Sequence, residues 1–240
     1  MIIEGKHSIR EALTAGKSIS RIVVAKDNSD KEISYIISLA KSHGVTVTYA
    51  DRQAIERDSV SKRHQGILGY TDDFEYSSVE DLIAYAGDRG EDIFLLILDG
   101  ITDTHNLGSV LRVAECAGVH GIIIPERRSA QVNETVIRIS AGAAEHMRVA
   151  RVTNINDTIE YLKSVGVWVY GADMDGEDIY TTDLTGNIAL VIGGEDKGVG
   201  RLTRQRCDKI IALPLKGRVN SLNASVATGI VVYEALRQRI

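Results

Sequence analysis

Between Ile93 and Leu213 the chain returns repeatedly to short, unbroken apolar runs: IFLLIL (93–98), GIII (121–124), VWVY (167–170), IALVI (188–192) and KIIAL (209–213), with a weaker MRVARV (147–152) among them. A strand with one wet face alternates apolar and polar residues, whereas a run without alternation has to be covered on both faces. Helical segments lie between most of these runs. The pattern therefore predicts an α/β domain built on a parallel sheet, and in such sheets ligands bind where strands end and helices begin.

The first 70 residues read as a separate, smaller α/β unit. Ile9, Ala12 and Leu13 fit a short helix, RIVVA (21–25) a strand, and Ile33, Ile36, Ile37 and Ala40 a second helix that Gly44 stops. Val45 to Tyr49 and a stretch through Ile67 and Leu68 complete its strands. Charge separates the two parts. Residues 1–71 hold 11 Lys and Arg against 8 Asp and Glu, while residues 72–90 hold one Arg against six acids. We expect a basic head over 1–75, an acidic linker over 76–90 and a catalytic domain over 91–240. The basic cluster Lys62, Arg63, His64 and Gln65 reads either as an RNA contact or as a solvated loop.

The net charge of −5 argues against a broad, nonspecific grip on nucleic acid. The two cysteines, Cys116 and Cys207, lie in apolar-periodic segments without metal-ligand spacing, so both read as buried free thiols and no metal site is expected. MIIEGKHSIR lacks the apolar core of a signal peptide, and no run is long enough to span a membrane; the expected location is cytoplasmic.

Three strand-to-helix junctions carry unusual polar content. In DGITDTHNLGSVLRVAECAG (99–118), Leu107, Val110, Leu111 and Ala114 make the buried stripe of a helix, which turns Arg112 to the open side. Asn106 and Gly108 stand at the helix entrance. A cap and a surface Arg would account for Asn106 and Arg112; so would an anion site. In IGGEDKGVG (192–200), Gly193 and Gly194 allow close backbone approach to a ligand. It is no Walker loop, because Val199 follows Gly198, and no G-x-G-x-x-G fingerprint occurs. In IIALPLKGRVNSLNASV (210–226) a strand ends at Pro214, and Asn220 or Ser221 can cap the helix that follows.

The three junctions, in this order, resemble the signature motifs of the SpoU/TrmH class of SPOUT methyltransferases. The first matches at Asn106, Gly108 and Arg112, the second at Gly193, Glu195 and Gly198, and the third at Pro214, Ser221, Leu222 and Asn223. The start EGKHSIREAL is similar to that of the L30e-like substrate-binding domain of RlmB-type ribosomal-RNA guanosine methyltransferases. Three departures stand out. Asp103-Thr104 replaces the usual Asp-Pro, Asp196 replaces a glycine, and Asn220 replaces a small residue.

The resemblance implies a parallel-sheet SPOUT domain with a deep trefoil knot behind an L30e-like domain. It implies transfer of a methyl group from S-adenosyl-L-methionine to a ribose 2′-hydroxyl of RNA, with a guanosine of large-subunit ribosomal RNA as the expected target. A transfer-RNA methyltransferase and a noncatalytic RNA-binding relative are the alternatives. By residue, it implies cofactor contacts at Gly193, Gly194, Leu213, Leu222 and Asn223, and catalytic roles for Arg112, Asn106, Glu195, Ser221 and Asn223. It also implies a homodimer packed through the C-terminal helix. There Leu222, Val226, Ile230 and Tyr233 form one apolar stripe, with Val231 and Val232 off it, so that helix is expected to be buried on more than one side.

Overall fold

The computed structural model describes residues 2–14, 19–59, 62–71, 74–195, 198–218 and 221–240. The expectations attached to Asp196 and Asn220 lie outside the described residues. The chain divides into two compact units, Met1–Glu75 and Tyr76–Ile240.

The first unit is a four-stranded sheet in the order β1(Ile2–Glu4), β4(Ile67–Thr71), β2(Ile19–Ala25), β3(Thr46–Ala50). β2 and β3 run parallel and the other pairs antiparallel. Helices α1(Lys6–Thr14) and α2(Lys31–Ser42) bring Ile9, Leu13, Ile33 and Ile36 against Ile22, Val24 and Ile67, all nearly inaccessible. α3(Arg52–Asp58) buries Ile55 in a smaller cluster with Ala25 and Leu68. Three residues, Ile2 to Glu4, are too few to show a periodicity, and β1 is the one strand of this unit that sequence reading misses.

The second unit is a six-stranded, all-parallel sheet in the order β10(Lys209–Ala212), β8(Trp168–Asp178), β9(Ile188–Gly193), β5(Phe94–Asp99), β6(Gly121–Pro125), β7(Val149–Val152). Phe94–Leu98, Gly121–Ile124 and Ile188–Ile192 are buried at every position, as covering on both faces requires. Each such Leu, Ile or Val contributes about 1.5–3 kcal/mol by leaving water. The weak run at 147–152 is the edge strand β7, where only Val149 and Ala150 are buried.

Two expectations change here. Residues 76–90, read as an acidic linker, belong to the second unit: α4(Val79–Arg89) starts in a Ser78–Asp81 capping box and sends Val79, Leu82 and Ala86 into the sheet core. Its acids occupy the outer face of an amphipathic helix, which composition alone does not distinguish from a connector. β8 also runs beyond its apolar start through the acidic DMDGED segment, because β10 keeps pairing with it after a register shift between Ile210 and Ile211.

Candidate active site

The three junctions meet at the carboxyl ends of β5, β9 and β10. Asp99 and Gly193 are register partners at the ends of β5 and β9. The Gly194 amide donates to Asp99 O (2.9 Å), Gly200 N donates to Asp99 Oδ2 (2.9 Å), and Gly198 N donates to Gly194 O (2.9 Å). This turn exists only because Gly193 lacks a side chain. A Cβ there would lie 1.9 Å from the Gly198 carbonyl carbon and 2.2 Å from Val199 N.

Helix α5(Thr104–Cys116) is capped by Asp103, whose Oδ1 accepts from His105 N at 2.7 Å. Asn106 is therefore free of the capping role and is buried in the first turn. Its Nδ2 donates to Glu195 Oε1, and its Oδ1 accepts from Asn223 Nδ2 at 3.0 Å. Asn223 in turn caps α9(Ala224–Arg239), accepting from Ser225 N (3.0 Å) and Val226 N (3.3 Å). Asn223 thus holds the position expected for Asn220 or Ser221, and Ser221 stands outside the helix. One chain of hydrogen bonds, Glu195–Asn106–Asn223, joins the three loops.

Beside that chain opens a cavity of about 770 Å³. Gly193, Gly194, Glu195, Leu213, Ser221 and Leu222 line it, whereas Asn106, Asn223 and Arg112 do not. Sequence reading missed its other wall, formed by Ala172–Met174, Gly176, Asp178 and Ile179. That wall is the acidic end of β8, held by an Arg204–Asp173 ion pair (3.0 Å) from α8(Arg201–Arg206). Gly176 lies so close to β10 that a Cβ would meet Ile211 backbone at 2.4 Å. Three acidic residues, Asp173, Asp178 and Glu195, are among the lining, Asp173 already paired with Arg204, and no Lys, Arg or His lines the cavity among the described residues. Such a lining suits a cationic ligand and opposes a polyphosphate.

Arg112 projects into solvent from the outer side of α5, as expected, with no ion pair among the described residues. It lies about 9 Å along the helix from Asn106. Its neighbour Val113 faces Gly229 of α9.

The SpoU rRNA methylase family model matches residues 92–233, and the model for RNA 2′-O ribose methyltransferase substrate binding matches residues 2–77. The chain belongs to the SpoU rRNA methylase family. It is 40% identical over 243 residues to the 23S rRNA (guanosine-2′-O-)-methyltransferase RlmB of Escherichia coli K12, covering 99% of this chain and 98% of that one. It is 42% identical over 236 residues to YacO of Bacillus subtilis, assigned to the TrmH family of tRNA/rRNA methyltransferases, covering 98% and 94% of the two chains. Among solved structures, an AdoMet-bound rRNA methyltransferase from Sinorhizobium meliloti has a TM-score of 0.72 at 24% identity, covering 100% of this chain and 87% of that one. This SpoU protein is thus an RNA methyltransferase with the α/β fold that its apolar runs predict.

Within the basic cluster at 62–65, His64 is buried. Its Nε2 lies 2.6 Å from Glu56 Oε2, its Nδ1 accepts from Gly66 N, and it holds the Glu56 carboxyl below its usual range. It serves the loop, while Lys62, Arg63 and Gln65 are exposed. Cys116 is exposed at the outer end of α5, contrary to the expected burial, because it lies off the Leu107–Ala114 stripe. Cys207 is half-buried, and burial pushes its thiol up to about 12. Among the described residues no group of three or more His, Cys, Asp or Glu could hold a metal ion, and no helix is long and apolar enough to cross a membrane.

Proposed function

We propose that this enzyme uses S-adenosyl-L-methionine to methylate a ribose 2′-hydroxyl of RNA, at a guanosine of large-subunit ribosomal RNA. The observation that carries the reading is the hydrogen-bond chain Glu195–Asn106–Asn223 beside an acidic cavity. Three loops distant in sequence are fastened together by residues whose only shared product is one site. Near-full-length similarity to RlmB supports the ribosomal guanosine over a transfer RNA, and the retained motif residues disfavour a noncatalytic relative.

The cavity fits this cofactor. Gly193 and Gly194 bring backbone to its wall, Leu213 and Leu222 offer apolar contact to an adenine, and Asp178 and Glu195 on the lining, with no cation beside them there, suit the positive charge of a sulfonium and an ammonium. S-adenosylmethionine bound there supplies an electrophilic methyl carbon. The ribose hydroxyl is a weak acid and has to lose its proton as the methyl group arrives. A guanidinium is a poor base, so the part of Arg112 is to grip a substrate phosphate and lower the hydroxyl's pKa, and a phosphate oxygen or water takes the proton. Asn106 and Asn223 act through Glu195 and the helix cap to fix the loops, and Ser221 stands on the cavity wall. The same family resemblance carries the proposed passage of the C-terminal segment through a trefoil knot.

A homodimer completes the reading. In α9 the residues buried within the chain are Ala224, Thr228, Val231, Val232, Glu234 and Ala235, while Leu222 just before the helix (39%), Val226 (51%), Ile230 (36%) and Tyr233 (49%) remain open to solvent. A second copy on that stripe would also lie near α5, the helix that carries Arg112, since α5 and α9 pack against each other. The test is transfer of labelled methyl from S-adenosylmethionine to RNA from cells lacking this gene, followed by mapping of alkali-resistant positions. One labelled ribosomal guanosine is expected. Absence of incorporation into ribosomal RNA, assembly intermediates included, would overturn the substrate assignment.

A further inference from the structure

Several cations in this molecule are paired. Lys6, Arg10, Arg52, Arg204 and Arg237 all sit in ion pairs at 3.4 Å or less. The segment after β6 is different. Arg127 and Arg128, and Arg138 in α6(Glu134–Ile139), are exposed, and their side chains make no ion pair or hydrogen bond among the described residues. Arg128 also holds a φ of +58°, a left-handed conformation that a non-glycine residue adopts at a cost and that clusters at functional sites.

The loop presenting these arginines is braced on every side. Glu126 N donates to Val152 O (2.9 Å), Ala130 N to Ile101 O (2.8 Å), Gln131 Nε2 to Pro125 O (2.9 Å) and Val132 N to the Tyr76 hydroxyl (3.0 Å). The bond to Ile101 ties it to the loop that leads from β5 into α5. On the other side, Gly108 of α5 touches α6 so closely that a Cβ would lie 2.7 Å from the Ile139 side chain. The arginines therefore stand at the same end of the sheet as Asn106, on a frame rigidly joined to it, yet outside the cavity. Glu126 is the acid immediately before them and is exposed. It lowers the local charge without cancelling it.

We propose that Arg127 and Arg128, supported by Arg138, form a second phosphate-binding site on the methyltransferase unit, which holds the RNA backbone flanking the target ribose. This rests on the RNA-methylating function proposed above. Nothing in the matched substrate-binding region at residues 2–77 includes these residues. A rigid loop offering two unpaired guanidiniums suits phosphate, because each contact releases a counterion and positions the strand without reading its sequence.

The test measures filter binding of unmodified large-subunit ribosomal RNA, taken from cells lacking this gene, across a salt series. For R127A/R128G the expected result is a Kd raised at least ~5-fold at ~100 mM salt, with the slope of log K against log salt shallower by about 1–2. R127K/R128K should keep most of the affinity, since a point charge serves a phosphate. R128G alone preserves the turn, so it should melt no lower than the parent chain while binding RNA more weakly. Unchanged Kd and salt slope in R127A/R128G, at an unchanged melting temperature, would overturn the proposal. So would an R128G variant altered only in stability. Methyl transfer by the unsubstituted enzyme reports separately on the function itself, so the two readings fail independently.

Discussion

Replacing Gly193 with Ala adds one methyl group where the chain has least room. The new carbon would start 1.9 Å from the Gly198 carbonyl carbon and 2.3 Å from its oxygen. Ordinary contact begins near 3.4 Å, so one backbone segment has to move by roughly 1.5 Å, well beyond what a close-packed interior absorbs. Both segments are held: Gly194 N to Asp99 O, Gly198 N to Gly194 O and Gly200 N to Asp99 Oδ2, each at 2.9 Å. Overpacking costs about 1–3 kcal/mol, and each hydrogen bond lost costs about 0.5–1.5 kcal/mol. With two bonds broken the total is about 2–6 kcal/mol, a large part of an ordinary stability of about 5–15 kcal/mol. At about 2–4 °C per kcal/mol for a chain of this size, we expect a melting temperature at least ~4 °C lower, with S-adenosylmethionine binding lost in calorimetry because Gly193 forms the cavity wall. Gly87→Ala is the matched control. It sits inside α4 with nothing within 4 Å of the added carbon, so the same chemical change should stabilise by about 0.5–1 kcal/mol. A G193A protein that melts within ~2 °C of its parent and binds the cofactor equally well would refute the reasoning.

Asn106→Asp puts a carboxylate against Glu195 in place of an amide donor, and should lower turnover by about 10²-fold while leaving the circular dichroism spectrum unchanged; turnover within twofold of the parent would show that the loop connection is dispensable. Arg112→Ala should keep cofactor affinity in calorimetry and lose turnover, whereas equal loss of both would remove its proposed role. Val226→Asp with Ile230→Asp places charge on the open stripe of α9, and sedimentation should show monomer in place of dimer; a monomeric parent chain would dispose of the interface. Glu234 is buried on α9, and its bonds from Arg237 (2.7 and 2.9 Å) and Gln238 (2.8 Å) lower its carboxyl to about 2 from an ordinary 4.5. Between those values the unfolded chain binds the extra proton, so this stabilisation is complete above pH ~4.5 and is lost as pH falls towards 2. Thermal melts from pH 2 to 6 should therefore be less steep for Glu234→Gln than for the parent; parallel curves would contradict the assignment.

Much of the sheet was legible because burial on both faces leaves a compositional trace. Phe94–Leu98 and Ile188–Ile192 could be read with no knowledge of their neighbours, since nothing but an apolar run survives in that setting. The far wall of the cavity left no such trace. Asp173 to Asp178 read as a loop in every local respect, and the segment is a strand only because β10 shifts register at Ile210/Ile211 and continues to pair with it. That is a long-range condition. Asn223 illustrates the same limit at a helix end: Asn220, Ser221 and Asn223 all have capping chemistry, and the choice among them follows from Asn106, 117 residues away, which accepts the Asn223 amide.

The C-terminal helix shows what a pattern can and cannot decide. Its apolar residues cover most of its circumference, so sequence supports burial on two sides but offers no way to rank the sides. The chain itself ranks them. α5 packs on α9, and Val231, Val232 and Ala235 disappear into the fold, which leaves the stripe from Leu222 to Tyr233 uncovered. The most regular heptad-like stripe is thus the one that the chain leaves free. The arginine loop after β6 follows the same logic with charge in place of apolar surface. In a protein whose net charge is −5, guanidiniums gathered on a braced loop without carboxylate partners among the described residues are an expensive arrangement, since the chain carries 33 Asp and Glu that could pair with cations. A frame that holds them apart from those acids makes sense if a phosphate completes them, and the salt dependence of RNA binding is where that completion would be read.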